Sequence, residues 1–567
     1  MSGNVPAPGE APMPAANAAA LLRRNASDPS IAGRVAVRAG DETWTHGAYV
    51  DECCRWAQLF LSRRTDDAPF HVGVLLDNVP EYLFALGGAA LAGATVVGLN
   101  PTRVGEHLVR DATHTDVAFV VTEPRHESTV EPLSSSMEVL VAGSSLDKAL
   151  ASVPEGDPGI EPDASTPWAL IFTSGTSGAP KAVICSQRRI MVTGTRMGII
   201  LGVGPDDVGY VCMPLFHSNA VMVGWAPSLV YGCSVALARR FSASGWLPDV
   251  RRYGATYWNY TGKPLAYLLA TPQHADDAKN PLRVAYGNEG APRLVEAFAR
   301  RFDVQVIDAF GATEGGVAVQ RVDGMPDGAV GLAGEHVRVV DAETGAERPR
   351  ARFGADGTLE NPTECVGEIV NTGGVGPFEG YYNNDEANAR TMRNGWYWSG
   401  DLGYLDADGY LFFAGRNADW IRVDGENFPA GPIENAVLRH PDVLAGAVYG
   451  VPDAQAGDQV MASLVLRDGA SFDGAAFASF VDGLADVGPK WRPRYVRVCR
   501  ELPRTPTNKV LARVLVHEKF RLDRVGPGDA VWVRGRDDAS YRPFDAGAEA
   551  ALRDEFAANG RARFWDL

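Results

Sequence analysis

Positive charge is what this 567-residue chain lacks most: 53 Lys and Arg stand against 70 Asp and Glu, a formal net charge of −17. A surface of that sign repels phosphate backbones and anionic lipid. Nucleic acid and an anionic membrane are therefore excluded as main partners, and an anionic small molecule must be met by a local basic patch. Cysteine is scarce as well. The seven, at 53, 54, 185, 212, 233, 365 and 499, are odd in number and without metal-ligand spacing. That argues against a disulfide framework or a zinc site and leaves reduced, buried thiols of a cytoplasmic protein. Adjacent Cys53-Cys54 falls in a helix-like pattern from Trp44 to Ser62, where core packing accounts for both. Long apolar runs are missing too. Tyr82 to Leu99 is uncharged, but its four glycines and the β-type Thr95-Val96-Val97 predict a buried helix turning into a buried strand, so no integral membrane span is expected. The first 18 residues lack the basic-then-apolar order of a signal peptide and, rich in Pro, Ala and Gly, are expected to form a disordered tail. No internal repeat is evident.

What is present is ample core material: 46% hydrophobic residues, in a chain longer than one hydrophobic core supports. From His71 onward, β-type runs (His71–Leu76, Ala94–Leu99, Val117–Val121, Val139–Ala142, Val208–Met213, Ser234–Ala238, Val304–Ile307) alternate with helical stretches. Such alternation predicts an α/β architecture with parallel-rich sheets. After Val366 the runs become Gly- and aromatic-rich with hairpin signals, as at Asp406-Ala407-Asp408-Gly409, which predicts a β-rich subdomain. Helix and strand signals resume from Arg416 to about Arg521. The expected organisation is a tail (1–18), a large N-terminal domain (19–417), a small mobile α+β domain (418–523) and an extension (524–567) with a helix beginning near Asp545.

Four motifs carry chemistry. Ile171-Phe172-Thr173-Ser174-Gly175-Thr176-Ser177-Gly178-Ala179-Pro180-Lys181 follows the strand Trp168–Phe172 and suits a polyphosphate. Its glycines let backbone N–H groups approach phosphate oxygens, its hydroxyls add donors and its lysine adds charge. A Walker A loop would place Lys directly after the last Gly; here Ala179 and Pro180 intervene. The second motif is Asp308-Ala309-Phe310-Gly311-Ala312-Thr313-Glu314-Gly315-Gly316, preceded by Gly287-Asn288-Glu289-Gly290. An aromatic there can stack on a purine, a threonine can bond phosphate and a glutamate can hold Mg²⁺. The third is Trp398-Ser399-Gly400-Asp401, then Gly415-Arg416 beyond the hairpin: a carboxylate for ribose hydroxyls with an arginine approaching from the next strand. The fourth, Pro503-Arg504-Thr505-Pro506-Thr507-Asn508-Lys509, is a loop presenting one lysine. Each motif alone is also compatible with an ordinary surface loop.

In this order the four motifs resemble the adenylate-forming superfamily of acyl-CoA synthetases, peptide-synthetase adenylation domains and luciferases. The resemblance runs from about Trp44 to Leu515, and Gly367-Glu368 through Gly380-Tyr381 fits a further family motif. The stretches Tyr260-Thr261-Gly262-Lys263-Pro264-Leu265 and Phe310 to Gly315 look most like fatty-acyl-CoA ligases of the fatty-acid-transport and very-long-chain group. The resemblance implies that a carboxylate attacks ATP to give acyl-AMP, and that CoA thiol then displaces AMP. ATP, Mg²⁺ and CoA are the implied cofactors and a hydrophobic carboxylic acid, long-chain or bulky, the implied substrate. By the same resemblance, Thr173, Ser174, Gly175, Thr176, Ser177, Gly178 and Lys181 would grip phosphates, with Gly287, Asn288, Glu289 and Gly311 nearby. Phe310 would stack adenine, Thr313 touch phosphate, Glu314 bind Mg²⁺, and Asp401 and Arg416 hold the ribose. Lys509 would serve adenylation. Gly425 would line the thiol approach after a rotation of the small domain, although an ordinary turn glycine fits that position too. His217, in Pro214-Leu215-Phe216-His217-Ser218, matches an acyl-pocket position as well as it fits a buried structural histidine. Trp225, Trp258 and Tyr260 suit either a large apolar pocket or the core.

Three positions depart from the family pattern: Ala418 at the hinge with Asp419 after it, Asn508 where glycine commonly precedes the lysine, and Phe310 where tyrosine is common. They keep open a ligase competent mainly in one half-reaction, or a protein that binds acyl-adenylate without turnover. Delivery to a carrier-protein thiol is the other alternative. A homodimer is left open.

Overall fold

The computed structural model describes the chain except residues 1–5, 7–10, 66–67, 104, 174–180, 262–263, 289–291, 318, 323, 327, 355–358, 417–419, 424–425, 455–457, 485–486, 505–509, 536–537, 560 and 567. By internal packing the chain divides into two units, Met1–Arg321 with Gly373–Tyr397, and Val322–Thr372 with Trp398–Leu567.

The first unit is α/β. Its strands are β1 (Val35–Ala39), β2 (Glu42–Thr45), β3 (His71–Leu75), β4 (Thr95–Gly98), β5 (Val117–Thr122), β6 (Glu138–Val141), β7 (Pro167–Thr173), β8 (Lys181–Ser186), β9 (Val208–Val211), β10 (Ser234–Leu237), β11 (Tyr257–Thr261), β12 (Val284–Asn288) and β13 (Gln305–Asp308). One sheet runs β13-β12-β11-β9-β10-β1-β2, parallel apart from its last pair. The other runs β6-β5-β3-β4-β7-β8, with only β7–β8 antiparallel. Every residue of β3, β4, β9 and β10 is buried, as expected where helices cover both faces of a parallel sheet.

The uncharged stretch from Tyr82 is the helix Pro80–Ala92, buried at every position from Tyr82 on and stopped by Gly93 at φ 69°. It lies against the helix His46–Leu61. A Cβ at Gly87 would stand 2.2 Å from Cys53 Sγ and one at Gly88 2.7 Å from Trp56 Cβ, so the two glycines permit the approach. All seven cysteines are free and buried. Within the stretch read as a disordered tail, Ala11 is buried and Asn17 caps the helix Ala18–Ser27, its side chain accepting the Ala20 N–H. The packed chain thus begins ahead of Ala18. Among the described residues no helix is long and apolar enough to cross a membrane.

In the second unit the strands Ala329–Ala333, Tyr410–Arg416, Trp396–Leu405, Gly367–Asn371 and Val337–Val340 lie side by side in that order. The expected hairpin turn is there: Asp406 Oδ1 accepts the N–H groups of Asp408 (3.0 Å) and Tyr410 (2.8 Å). A five-stranded sheet follows, ordered Val443–Pro452, Asp458–Leu466, Tyr495–Val498, Ala530–Val533 and Arg542–Pro543. Its last two strands come from the segment after Arg524, which supplies more than the expected helix (Ala546–Ala558, capped by Asp545). Runs of four and two residues carry no readable periodicity. Pairing with Tyr495–Val498 is what makes the first a strand, and Phe556 and Trp565 bury against Phe520 and the small-domain core.

Candidate active site

Ligands of parallel sheets bind beyond the carboxyl ends of the strands, and the first unit's motifs gather there. Thr173 ends β7 and Lys181 opens β8, the two being register partners across the antiparallel pair. Ser174, Gly175, Thr176, Ser177 and Gly178 fall outside the described residues, as do Glu289, Ala418, Asp419, Gly425, Asn508 and Lys509. On β11, β12 and β13, Tyr260 pairs with Gly287, Thr261 with Asn288 and Gly287 with Asp308. Ala309 N–H donates to the Gly287 carbonyl (2.7 Å), so the Gly287-Asn288 motif and the Asp308–Gly316 motif start side by side. Gly287 has no room for a side chain, since a Cβ would meet the Tyr260 ring at 2.5 Å. Phe310 is half-buried, with Gly311 and Ala312 exposed beyond it.

The turn that follows is fixed from several sides. Thr313 Oγ1 hydrogen-bonds Ser218 Oγ (2.8 Å). The buried Arg189, from the helix Gln187–Leu201, donates to the carbonyls of Ile184 (3.0 Å), Glu314 (3.1 Å) and Thr313. Glu314 is itself buried, and its Oε1 accepts the Tyr381 hydroxyl at 2.7 Å. Oε2 carries no hydrogen bond to any described residue, leaving a hard anionic oxygen of the kind Mg²⁺ takes. The residues present therefore fit the divalent ion expected with ATP.

Tyr381 reaches this place because residues 380–382 run along β8. Ile184 N–H donates to the Gly380 carbonyl (3.0 Å) and Tyr382 N–H to that of Ala182 (2.8 Å). Lys181 Nζ lies 5.3 Å from the Tyr381 ring centroid, a cation–π distance. The lysine of the first motif and the glutamate of the second thus meet on one tyrosine. From sequence alone Ser218 and Tyr381 have no role beyond membership of a motif, and Arg189 is unmarked, because the partners that matter here lie 67 to 125 positions away in the chain.

The expected acyl-pocket residues separate. His217 packs its ring on Phe216 at 4.4 Å; its Nε2 is cut off from solvent and has no hydrogen-bond partner among the described residues. Burial pushes its pKa down from 6.5 to about 4, so the imidazole is neutral. Trp258 is wholly buried among Trp246 (5.1 Å), Tyr260 (5.4 Å) and Phe298 (5.7 Å). Tyr260, also wholly buried, donates to Asp308 Oδ2 at 2.7 Å. Trp225 stacks on Trp168 at 6.0 Å. Trp258 and Tyr260 are spent on the core, since β11 lies inside its sheet and is buried from Tyr257 to Tyr260, and Trp225 is buried as well. Trp225 closes a π-helix, Asn219–Trp225, a wide turn often found at functional sites.

In the second unit, Asp401 is buried and pairs in register with Arg416, whose side chain is not described. In the first unit, among the described residues, Asp77, Glu123 and His126 stand close enough together to hold a cation. Arg125 bonds Asp77, and Arg239 bonds both Asp77 and Glu123, so arginines already supply the positive charge there.

Parallel sheets with Thr173, Lys181, Thr313 and Glu314 at their carboxyl edge fit the class of adenylate-forming enzymes. Residues 22–382 match the AMP-binding enzyme family and residues 432–509 its C-terminal domain, and the chain belongs to that family. It is 45% identical over 542 residues to a steroid-22-oyl-CoA synthetase of Rhodococcus jostii, covering 94% of this chain and 96% of that one. With a medium/long-chain-fatty-acid–CoA ligase, FadD17, of Mycobacterium marinum it shares 47% identity over 494 residues, 86% and 92% of the two chains. Among solved structures, ATP-bound MatB from Rhodopseudomonas palustris superposes with a TM-score of 0.77 at 25% identity, covering 88% of this chain and 98% of that one. An anthranilate–CoA ligase complexed with anthranoyl-AMP, 21% identical, shares the fold at a TM-score of 0.74. The enzyme class is that of the acyl-CoA ligases, which use ATP and CoA.

Proposed function

We propose that this chain activates a bulky or long hydrophobic carboxylic acid as its acyl-adenylate and transfers it to CoA. The observation that carries the substrate class is the 45% identity, over 94% of the chain, to a ligase named for a steroid acid. In the first half-reaction a carboxylate oxygen attacks the α-phosphorus of ATP and the bond to the pyrophosphate oxygen breaks. Lys181 and the hydroxyls of Thr173 and Thr313 hold phosphate oxygens, Phe310 carries the adenine, and Asp401 with Arg416 takes the ribose. A magnesium ion held by Glu314 would neutralise phosphate charge. Lys509 bridges the carboxylate and the α-phosphate, opposing the charge that builds there and fixing the line of attack. In the second half-reaction the CoA sulfur attacks the acyl carbon, the bond to AMP breaks and the thiol proton passes to solvent; Gly425 leaves room for the pantetheine arm. His217, as a neutral ring, borders the acyl group.

Buried, unpaired thiols support a cytoplasmic setting, and a homodimer is to be tested by light scattering. The function is tested by measuring pyrophosphate release and CoA-thioester formation across fatty, aromatic and polycyclic acids, with a phosphopantetheinyl carrier protein as rival acceptor. Turnover confined to short polar acids, or to the carrier, would refute the reading.

A further inference from the structure

Tyr381 belongs to no catalytic role assigned above, yet it touches two residues that have one. Its backbone is held at both polar atoms by a single side chain: the N–H donates to Asn388 Oδ1 (2.7 Å) and the carbonyl accepts from Asn388 Nδ2 (2.9 Å). The ring is only 4% exposed and packs edge-on against Phe378 at 4.8 Å. It is therefore a fixed post. From that post the hydroxyl donates to Glu314 Oε1 at 2.7 Å, while the ring stands 5.3 Å from Lys181 Nζ. Arg189 meanwhile ties the main chain of Glu314 to β8, so that the backbone and the carboxylate of Glu314 are anchored separately to the strand Lys181 opens.

We propose that Tyr381 is a positioning residue with two separable parts: its hydroxyl aims the Glu314 carboxylate at the divalent cation, and its ring keeps the Lys181 ammonium poised for phosphate. The physical reason is competition. A lysine and a glutamate serving the same polyphosphate can collapse onto each other while the site is empty, and each must then be pulled free when ATP arrives. A rigid ring that takes the cation on its face and the carboxylate at its hydroxyl holds both in place beforehand, so the cost of orienting them is met in folding. The proposal rests on reading Lys181 and Glu314 as contacts of ATP and its metal.

The two parts are tested with Tyr381→Phe, which keeps the ring, and Tyr381→Leu, which removes both. Calorimetry measures ATP affinity with and without Mg²⁺, and pyrophosphate release is titrated against Mg²⁺. For Tyr381→Phe the Mg²⁺ requirement should rise about tenfold, the scale of losing one hydrogen bond to a carboxylate, with ATP affinity in the absence of Mg²⁺ unchanged. For Tyr381→Leu, Mg²⁺-free ATP affinity should also fall, by about 3-fold, the scale of an exposed cation–π contact. Tyr381→Phe with wild-type Mg²⁺ dependence overturns the proposal, as does a lowered melting temperature with no change in that dependence. Glu314→Gln separates the layers. If it shifts the Mg²⁺ requirement while Tyr381→Phe does not, only the role of Tyr381 falls; if Glu314→Gln is silent, the reading beneath it falls as well. Should Tyr381→Leu fail to fold, the Phe variant alone decides.

Discussion

Asp401 and Arg416 are register partners across the antiparallel pair Trp396–Leu405 and Tyr410–Arg416, fifteen positions apart in sequence and adjacent in the sheet. The hairpin turn at 406–409 sets the pairs from Leu405–Leu411 to Gly403–Phe413, a register that continued unbroken would put Asp401 opposite Gly415; a bulge between Leu402 and Gly403 shifts it by one and brings Arg416 there instead. Turn and bulge together thus build the pairing on which the proposed ribose role rests.

Replacing Asp401 with Ala should raise KM for ATP by about 100-fold, the scale of losing a charged acceptor from two hydroxyls, while KM for the acid stays unchanged. Initial rates at varied ATP and varied acid check this. Equal effects on both substrates would point to a structural role.

Lys509→Ala should suppress acyl-AMP formation by about 10²–10³ in rate, as expected for loss of one preorganised electrostatic contact. Thioester formation from supplied acyl-AMP should be largely retained. Pyrophosphate release and thioester assays, run separately, make the comparison.

Gly425→Leu should do the reverse. Bulk in the thiol path leaves ATP chemistry intact, so acyl-AMP accumulates while CoA transfer fails; quenched-flow detection of acyl-AMP shows it. Undiminished ligation from supplied acyl-AMP would take Gly425 out of the path.

His217 gives a pH signature. Its folded pKa, about 4, lies below the ordinary 6.5, so between those values the unfolded chain binds a proton that the folded chain refuses. Stability is therefore lost as pH falls through that window. His217→Phe should remove up to about 3 kcal/mol of this loss, seen as a shallower slope of denaturant-derived stability from pH 6.5 to 4. His46, whose burial likewise pushes its pKa to about 4, keeps its own share.

The strands expected at His71, Ala94, Val117, Val139, Val208, Ser234 and Val304 stand within a residue or two of their places. A buried parallel strand is a short apolar run by itself, and the run needs no neighbour to be recognised. By contrast β1 and β2 escape notice: Val35-Ala36-Val37-Arg38-Ala39 is short and broken by Arg38, Glu42-Thr43-Trp44-Thr45 is mostly polar, and it is pairing with β10 and with each other that makes them the last two strands of the sheet. Trp258 and Tyr260 show the limit from the other side. Sequence gives aromatic rings; whether a ring lines a pocket or fills a core depends on what lies across it, here Trp246, Phe298 and Asp308.

The sequence by itself determined the family and the motifs that mark it: glycines and hydroxyls before Lys181, Thr313-Glu314 after an aromatic, Asp401 ahead of a hairpin and Arg416. Those motifs are legible because each is a run of consecutive residues. Only the tertiary structure decided that Lys181 and Glu314 share Tyr381, that Arg189 holds the Thr313–Glu314 turn, and that Ser218 meets Thr313. Those contacts join residues brought together by sheet order and helix packing, and no spacing along the chain records them.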